Sequence, residues 1–122
     1  MQTFNKNERL ISKVIIDDLF EKGKSFNSSY LKIIWKELPQ ETHTTQVLFS
    51  VPKRIYKRAV DRNKVKRLMR EAYRKNKSDF YEKLNGKTIG FIFIYLNKTI
   101  IDYKEMEDKI IVSLQRLNKE IN

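Results

Sequence analysis

The spacing of hydrophobic residues changes several times along the chain, and each change marks a new element. Leu10, Ile11, Val14, Ile15, Leu19 and Phe20 recur at helical spacing. They predict a helix from about Lys6 to Lys22, with Asn5 as cap and Glu8 completing a capping box. Gly23 is a natural stop. Ser25–Glu37 is then rich in aromatic and β-branched residues, Phe26, Tyr30, Ile33, Ile34 and Trp35, and reads as strand. Pro39 and the polar run to Thr44 predict a turn. Thr45–Val51 predicts another strand, ended by Pro52. From about Val60 to Phe80 the period is helical again. Asn85-Gly86 signals a turn. Thr88–Leu96 is almost continuously apolar, as in a strand buried on both faces. Asp102, with Glu105 three residues on, opens a last helix whose inward stripe is Tyr103, Met106, Ile110, Leu114 and Leu117.

The predicted order is helix, two or three strands, helix, strand, helix. That is an α+β sandwich with helices covering a small mixed sheet. With 122 residues, three glycines and two prolines, no repeat and no linker, the whole chain, 1–122, reads as one domain.

Charge sharpens this picture. The net charge is +11. The stretch Lys53–Lys77 holds twelve basic and two acidic residues, so +10 of the excess lies in about a fifth of the sequence. A helix face that merely meets water mixes both signs. This one is a localised surface for a polyanion. On a helical wheel Val65, Leu68, Met69 and Ala72 share one side, and Arg62, Lys66, Arg67, Arg70, Arg74 and Lys77 share another. Arg62, Lys66, Arg70 and Arg74 are four apart, so they climb about 6 Å per step and about 18 Å in all. Such a ladder can follow a phosphate backbone, and each arginine can grip phosphate with a planar fork. Asn63 falls on the same face and adds a neutral amide for a base edge, ribose or phosphate. A membrane is the competing polyanion. The apolar side of this helix is needed for the core, however, and no Trp or Phe lies within the ladder.

Chemistry of the protein's own is missing from the sequence. There are no cysteines, which excludes a disulfide scaffold, a thiolate metal site and a cysteine nucleophile. The single histidine, His43, lies in a polar turn and reads as a solvated loop residue. No HExxH or glycine-rich phosphate loop occurs. Asp17 and Asp18 are adjacent on the first helix and point about 100° apart, which makes them a poor shared metal site. No apolar stretch is long enough to span a bilayer, and the N-terminus lacks the apolar core of a signal peptide, so a soluble, cytoplasmic protein is expected.

The segment SVPKRIYKRAVDRNKVKRLMREAYR, residues 50–74, resembles the signature of the ribonuclease P protein family. The matching positions are Ala59, Val60, Arg62, Asn63, Lys64, Val65, Lys66, Arg67, Arg70, Glu71, Ala72 and Tyr73. Arg9-Leu10 and the later Leu19-Phe20-x-x-Gly23-Lys24-Ser25 are similar to that family's first helix and its exit. Two positions differ from the family pattern. Lys64 stands where an Arg-Asn-Arg core has its second arginine, and Ile16 stands where a phenylalanine is frequent.

The resemblance implies the order α-β-β-β-α-β-α with a left-handed βαβ crossover around the basic helix, where general rules favour a right-handed one. It implies a subunit of an endoribonuclease whose catalytic centre lies on an RNA, with no catalytic residue, metal site or cofactor on the protein and with Mg²⁺ used by the RNA subunit. The expected partners are that catalytic RNA and precursor tRNA, with no membrane and no DNA. Arg62, Asn63, Lys64, Lys66, Arg67, Arg70 and Arg74 are expected to dock on the catalytic RNA. Phe20, Tyr30, Lys53 and Arg54 are expected in a cleft between first helix and sheet that takes the single-stranded 5′ leader, where aromatic faces stack on unpaired bases. The alternative is a ribosomal or RNA-assembly protein of the same fold. A DNA-binding regulator would need a second short helix before the basic one, and a stand-alone nuclease would need a catalytic constellation; the sequence offers neither.

Overall fold

The computed structural model describes residues 13–39 and 44–122. Its elements run α1 (Lys13–Lys22), β1 (Lys24–Ser28), β2 (Leu31–Leu38), β3 (Gln46–Ser50), α2 (Ala59–Glu82), β4 (Thr88–Tyr95) and α3 (Tyr103–Ile121). This is the expected α+β order. The cap expected at Asn5, the first helical turns and His43 lie outside the described residues.

The strands form one mixed sheet in the order β1-β2-β4-β3. β1–β2 and β2–β4 are antiparallel, and β3 pairs with β4 in parallel. The parallel pair requires a crossover, and α2 provides it. The apolar β4 sits centrally, which explains its continuous hydrophobic run. The strand-like region after Gly23 is a hairpin of two strands, bent at Ser29, whose φ of 54° is left-handed. Without glycine or proline that turn carries no loud sequence signal.

Alternation along the strands splits the sheet into two unequal faces. Ile33, Trp35, Val47, Phe49, Phe91, Phe93 and Tyr95 point toward α2 and α3 and form the main core with Val65, Met69, Tyr73, Phe80, Met106, Ile110 and Leu114. Tyr73 is its hub. Its ring meets Phe49, Phe91 and Phe93 edge-on at 5.8, 5.9 and 6.3 Å, and its hydroxyl lies 3.0 Å from that of Tyr81. The opposite face carries a small cluster of Leu19, Ile34 and Ile92, with Ile15, Ile16, Leu48 and Ile94 half-buried around it. Among the described residues, α1 is the helix that covers this side.

Two devices fix α1. Lys36 of β2 donates to the Asp18 carboxylate, which holds that carboxyl below the usual carboxylate range. Gly23 lies so close to the preceding helix that a Cβ would fall 2.4 Å from the Leu19 carbonyl oxygen and 2.9 Å from Ile34 Cγ2. At the other end of the chain, the Glu105 amide donates to Asp102 Oδ1 at 2.9 Å, the expected cap of α3.

Three expectations need correction. Val14, placed in the apolar stripe of the first helix, is 77% exposed. Phe20, placed in the same stripe, is 58% exposed. α1 buries only Leu19 fully, because it meets one narrow strip of sheet. Lys77, assigned to the basic face of the long helix, is buried. It falls between Tyr73 and Phe80 on the inner side of α2, with its ammonium 5.9 Å from the Tyr81 ring centroid. The long aliphatic stem lets a lysine complete an apolar stripe while its head finds a polar or aromatic partner.

Candidate RNA interface

The outer face of α2 is the most basic surface of the described residues. Val65, Met69, Ala72 and Tyr73 turn inward, which forces Asn63, Lys64, Arg67 and Arg70 outward, and all four are exposed. The ladder of four-residue steps is not straight. Each step turns about 40° around the helix, so Arg62 to Arg74 swings through about 120°. Arg62 and Lys66 lie on the flank of the core and are half-buried, while Arg67 and Arg70 face out. The row Asn63–Arg67–Arg70–Arg74 stays within a narrower sector, and Lys64 widens it.

The two ends of the ladder hold partners within the fold. Arg62 Nη1 donates to the carbonyls of Tyr56 and Lys57, each at 2.9 Å. Arg74 Nη2 lies 2.5 Å from Glu71 Oε1, and this pairing holds the Glu71 carboxyl below its ordinary range. The cations with the most freedom to meet phosphate are therefore Lys64, Lys66, Arg67 and Arg70. The N-terminus of α2 adds to them. Its cap residue Arg58 is extended and makes no side-chain capping bond, so the first-turn amides and the positive end of the helix dipole face outward. Arg58, Val60, Asp61, Asn63, Lys64 and Arg67 line a depression there. Val60, one of them, is 58% exposed, an apolar contact that the charge pattern alone does not single out.

The second candidate surface is the thinly covered face of the sheet. Leu48 and Ile94 are only half-buried there, Lys32 lies opposite Ile94 on β2, and Ile16 packs on the same cluster from α1. Asp18 and Phe20 lie about 200° apart on α1, on opposite flanks of the Ile15–Leu19 stripe. Asp18 is tied to β2, so the exposed Phe20 ring stands on the other rim. Together these residues make a strip of sheet beside α1, a trough in that α1 stands over one side of it, with half-buried apolar side chains, an exposed aromatic and a lysine.

Tyr30 does not belong to it. Its ring packs against the main core on the α3 side, with Lys109 Nζ 5.3 Å from the centroid. Its place in the β1–β2 turn directs it to the face opposite Phe20, so the pairing of these two aromatics in one cleft is withdrawn. Lys53 and Arg54 are exposed in the turn after β3, the edge strand of the trough. With Lys57 and Arg58 they carry positive charge around the sheet edge from the trough to the head of α2. Lys57, Arg58, Lys32 and Ile94 carry no individual signal in the sequence. The twelve-residue basic count was the signal for the first two; the last two needed the strand register.

Among the described residues no cluster of three or more His, Cys, Asp or Glu side chains is arranged to hold a metal ion. No helix among them is long and apolar enough to cross a membrane.

Comparison with known proteins bears on the family and the fold. The family model described as Ribonuclease P matches residues 4–118. The ribonuclease P protein component of Porphyromonas gingivalis is 34% identical over 117 residues, covering 93% of this chain and 85% of that protein. That of Chlorobium phaeobacteroides is 38% identical over 85 residues, 66% of this chain, and the match spans 58% of the relative's length. Among solved structures, the Staphylococcus aureus RNase P protein aligns over 96% of this chain and 100% of its own with a TM-score of 0.72 at 20% identity. The RNase P protein of Thermotoga maritima aligns over 89% and 96% with a TM-score of 0.71 at 24% identity. At these identities the structural matches speak for the fold.

Proposed function

The chain belongs to the ribonuclease P protein component family, and from that premise we propose that it binds the catalytic RNA of ribonuclease P through the outer face of α2 and the 5′ leader of precursor tRNA through the trough beside α1. The observation that carries this reading is the separation of two surfaces of different chemistry. One is a convex helix face dense in cations, suited to a structured phosphate backbone. The other is a strip of half-buried apolar side chains with an exposed aromatic, suited to unpaired bases.

On this reading the protein is the accessory part of a ribonuclease complex. Bond cleavage belongs to the RNA, where Mg²⁺ would activate water for attack on the scissile phosphate. The protein's own residues neutralise RNA charge, hold the leader and raise the effective concentration of substrate at the reacting centre. Lys64, Lys66, Arg67 and Arg70 supply the charge, Asn63 an amide, and Phe20 a stacking face. Lys53 and Arg54 flank the path between the two surfaces. The product would be tRNA with a mature 5′ end.

The test is reconstitution at low Mg²⁺ with the cognate catalytic RNA and precursor tRNA, with and without this protein. Accurate 5′ cleavage that requires both supports the reading. Binding to RNA without stimulation of cleavage overturns it in favour of an RNA-assembly role.

A further inference from the structure

The loop between β3 and α2 carries Lys53, Arg54, Lys57 and Arg58; Val51, Ile55 and Tyr56 anchor its start and middle in the core, and its last residues run exposed into α2. Arg58, which caps α2, makes no side-chain capping bond, and its Nε lies 3.8 Å from Asp61 Oδ2 in an exposed contact worth little. From below, the buried Tyr56 ring holds the loop, 6.3 Å from Tyr95. From above, one atom, Arg62 Nη1, bonds to two successive carbonyls, those of Tyr56 and Lys57. Both hydrogens of that amino group are then directed at backbone. Arg62 also starts on the core flank of α2, away from the sector occupied by Arg67 and Arg70.

We propose that Arg62 is a positioning residue: it pins the 52–58 loop to α2 and so fixes Lys57 and Arg58, and through them the band of charge joining the two RNA surfaces, without itself contacting phosphate. The structural half stands on the free protein; the consequence for RNA rests on the function proposed above. A charged guanidinium suits the task because hydrogen bonds from ionised donors are the stronger ones, and a planar group reaching back one turn can serve two acceptors at once.

Three measurements decide it. In the free protein, the amides of Ile55 and Tyr56 both donate to the Pro52 carbonyl. Arg62→Ala should speed their hydrogen exchange by at least about tenfold, the loss of two charge-assisted hydrogen bonds on a half-buried side chain, with β4 amides unchanged. Unchanged exchange at 55 and 56 overturns the pin. With catalytic RNA, replacing Arg62 by citrulline keeps an amino group of the same reach and removes the charge. Affinity should stay within about twofold and the salt slope should not move, whereas a direct phosphate contact loses about 0.9 from the log–log slope and overturns the proposal. Finally, Arg62→Ala should weaken RNA binding in the wild-type background but by less than about twofold when Lys57 and Arg58 are already alanine; equal losses in both backgrounds contradict a role through those residues. If the wild-type protein binds no catalytic RNA, the function proposed above falls, and the exchange measurement still decides whether Arg62 pins the loop.

Discussion

Phe20 offers the cleanest separation of function from stability. Its ring leaves 58% of its surface in water. Full burial of such a side chain is worth about 1.5–3 kcal/mol, so the part that α1 covers contributes about 1 kcal/mol, and Phe20→Ala should cost no more than that in unfolding free energy. A base stacked on an aromatic face contributes about 1–3 kcal/mol, which corresponds to about 5- to 150-fold in affinity. The variant, assembled with catalytic RNA, should therefore lose that factor for precursor tRNA and none for mature tRNA, which has no leader. Paired equilibrium binding measurements on the two tRNAs give the ratio, and a thermal melt of the free protein gives the stability. An unchanged ratio in a folded variant refutes the stacking role. A stability loss well above 1 kcal/mol refutes the description of Phe20 as a rim residue.

Other outcomes follow from the same geometry. Replacing Lys64, Arg67 and Arg70 together by alanine should lower the salt slope of catalytic-RNA binding by about 2.7, at about 0.9 per duplex-like phosphate contact; an unchanged slope places the contact surface elsewhere. Lys77→Ala should lower stability by about 1 kcal/mol through lost packing of its stem and leave the salt slope alone, as denaturant titration and binding would report. Burial and the neighbouring Glu107 push the Tyr103 hydroxyl up to about 12. Its folded value exceeds its unfolded value of 10.0, so its contribution to stability is present below pH 10 and is lost as pH rises toward 12. Tyr103→Phe should remove a tyrosine that titrates well above 10 from an absorbance titration and soften the alkaline loss of stability.

The long periodic elements were legible in the sequence because one physical pattern dominates each of them. α2 alternates core and charge over 24 residues, β4 is apolar throughout, and α3 begins at a capping aspartate. What escaped was information that a linear pattern does not hold. Tyr30 is an aromatic residue at strand spacing, but the face it meets depends on a turn at Ser29 with no glycine to announce it. Lys77 has the charge of a surface residue and the helical phase of a core residue, and phase prevailed. Ile15 and Val14 look alike in sequence; α1 meets the sheet along so narrow a strip that only one of them packs. Arg62 is indistinguishable from Arg67 by composition, and it differs in having two backbone carbonyls, from a loop five and six residues earlier, within reach.

Two surfaces divide the RNA between them on this reading, and crosslinking in the assembled complex tests that division. A photoreactive side chain at position 67, on the outer face of α2, and another at position 20, on the rim of the trough, can each be carried into the complex of protein, catalytic RNA and precursor tRNA. Crosslinks are expected from position 67 to the catalytic RNA and from position 20 to the 5′ leader, with the latter absent when mature tRNA replaces the precursor. Crosslinks from position 20 to the catalytic RNA alone, or from position 67 to the leader, would contradict it.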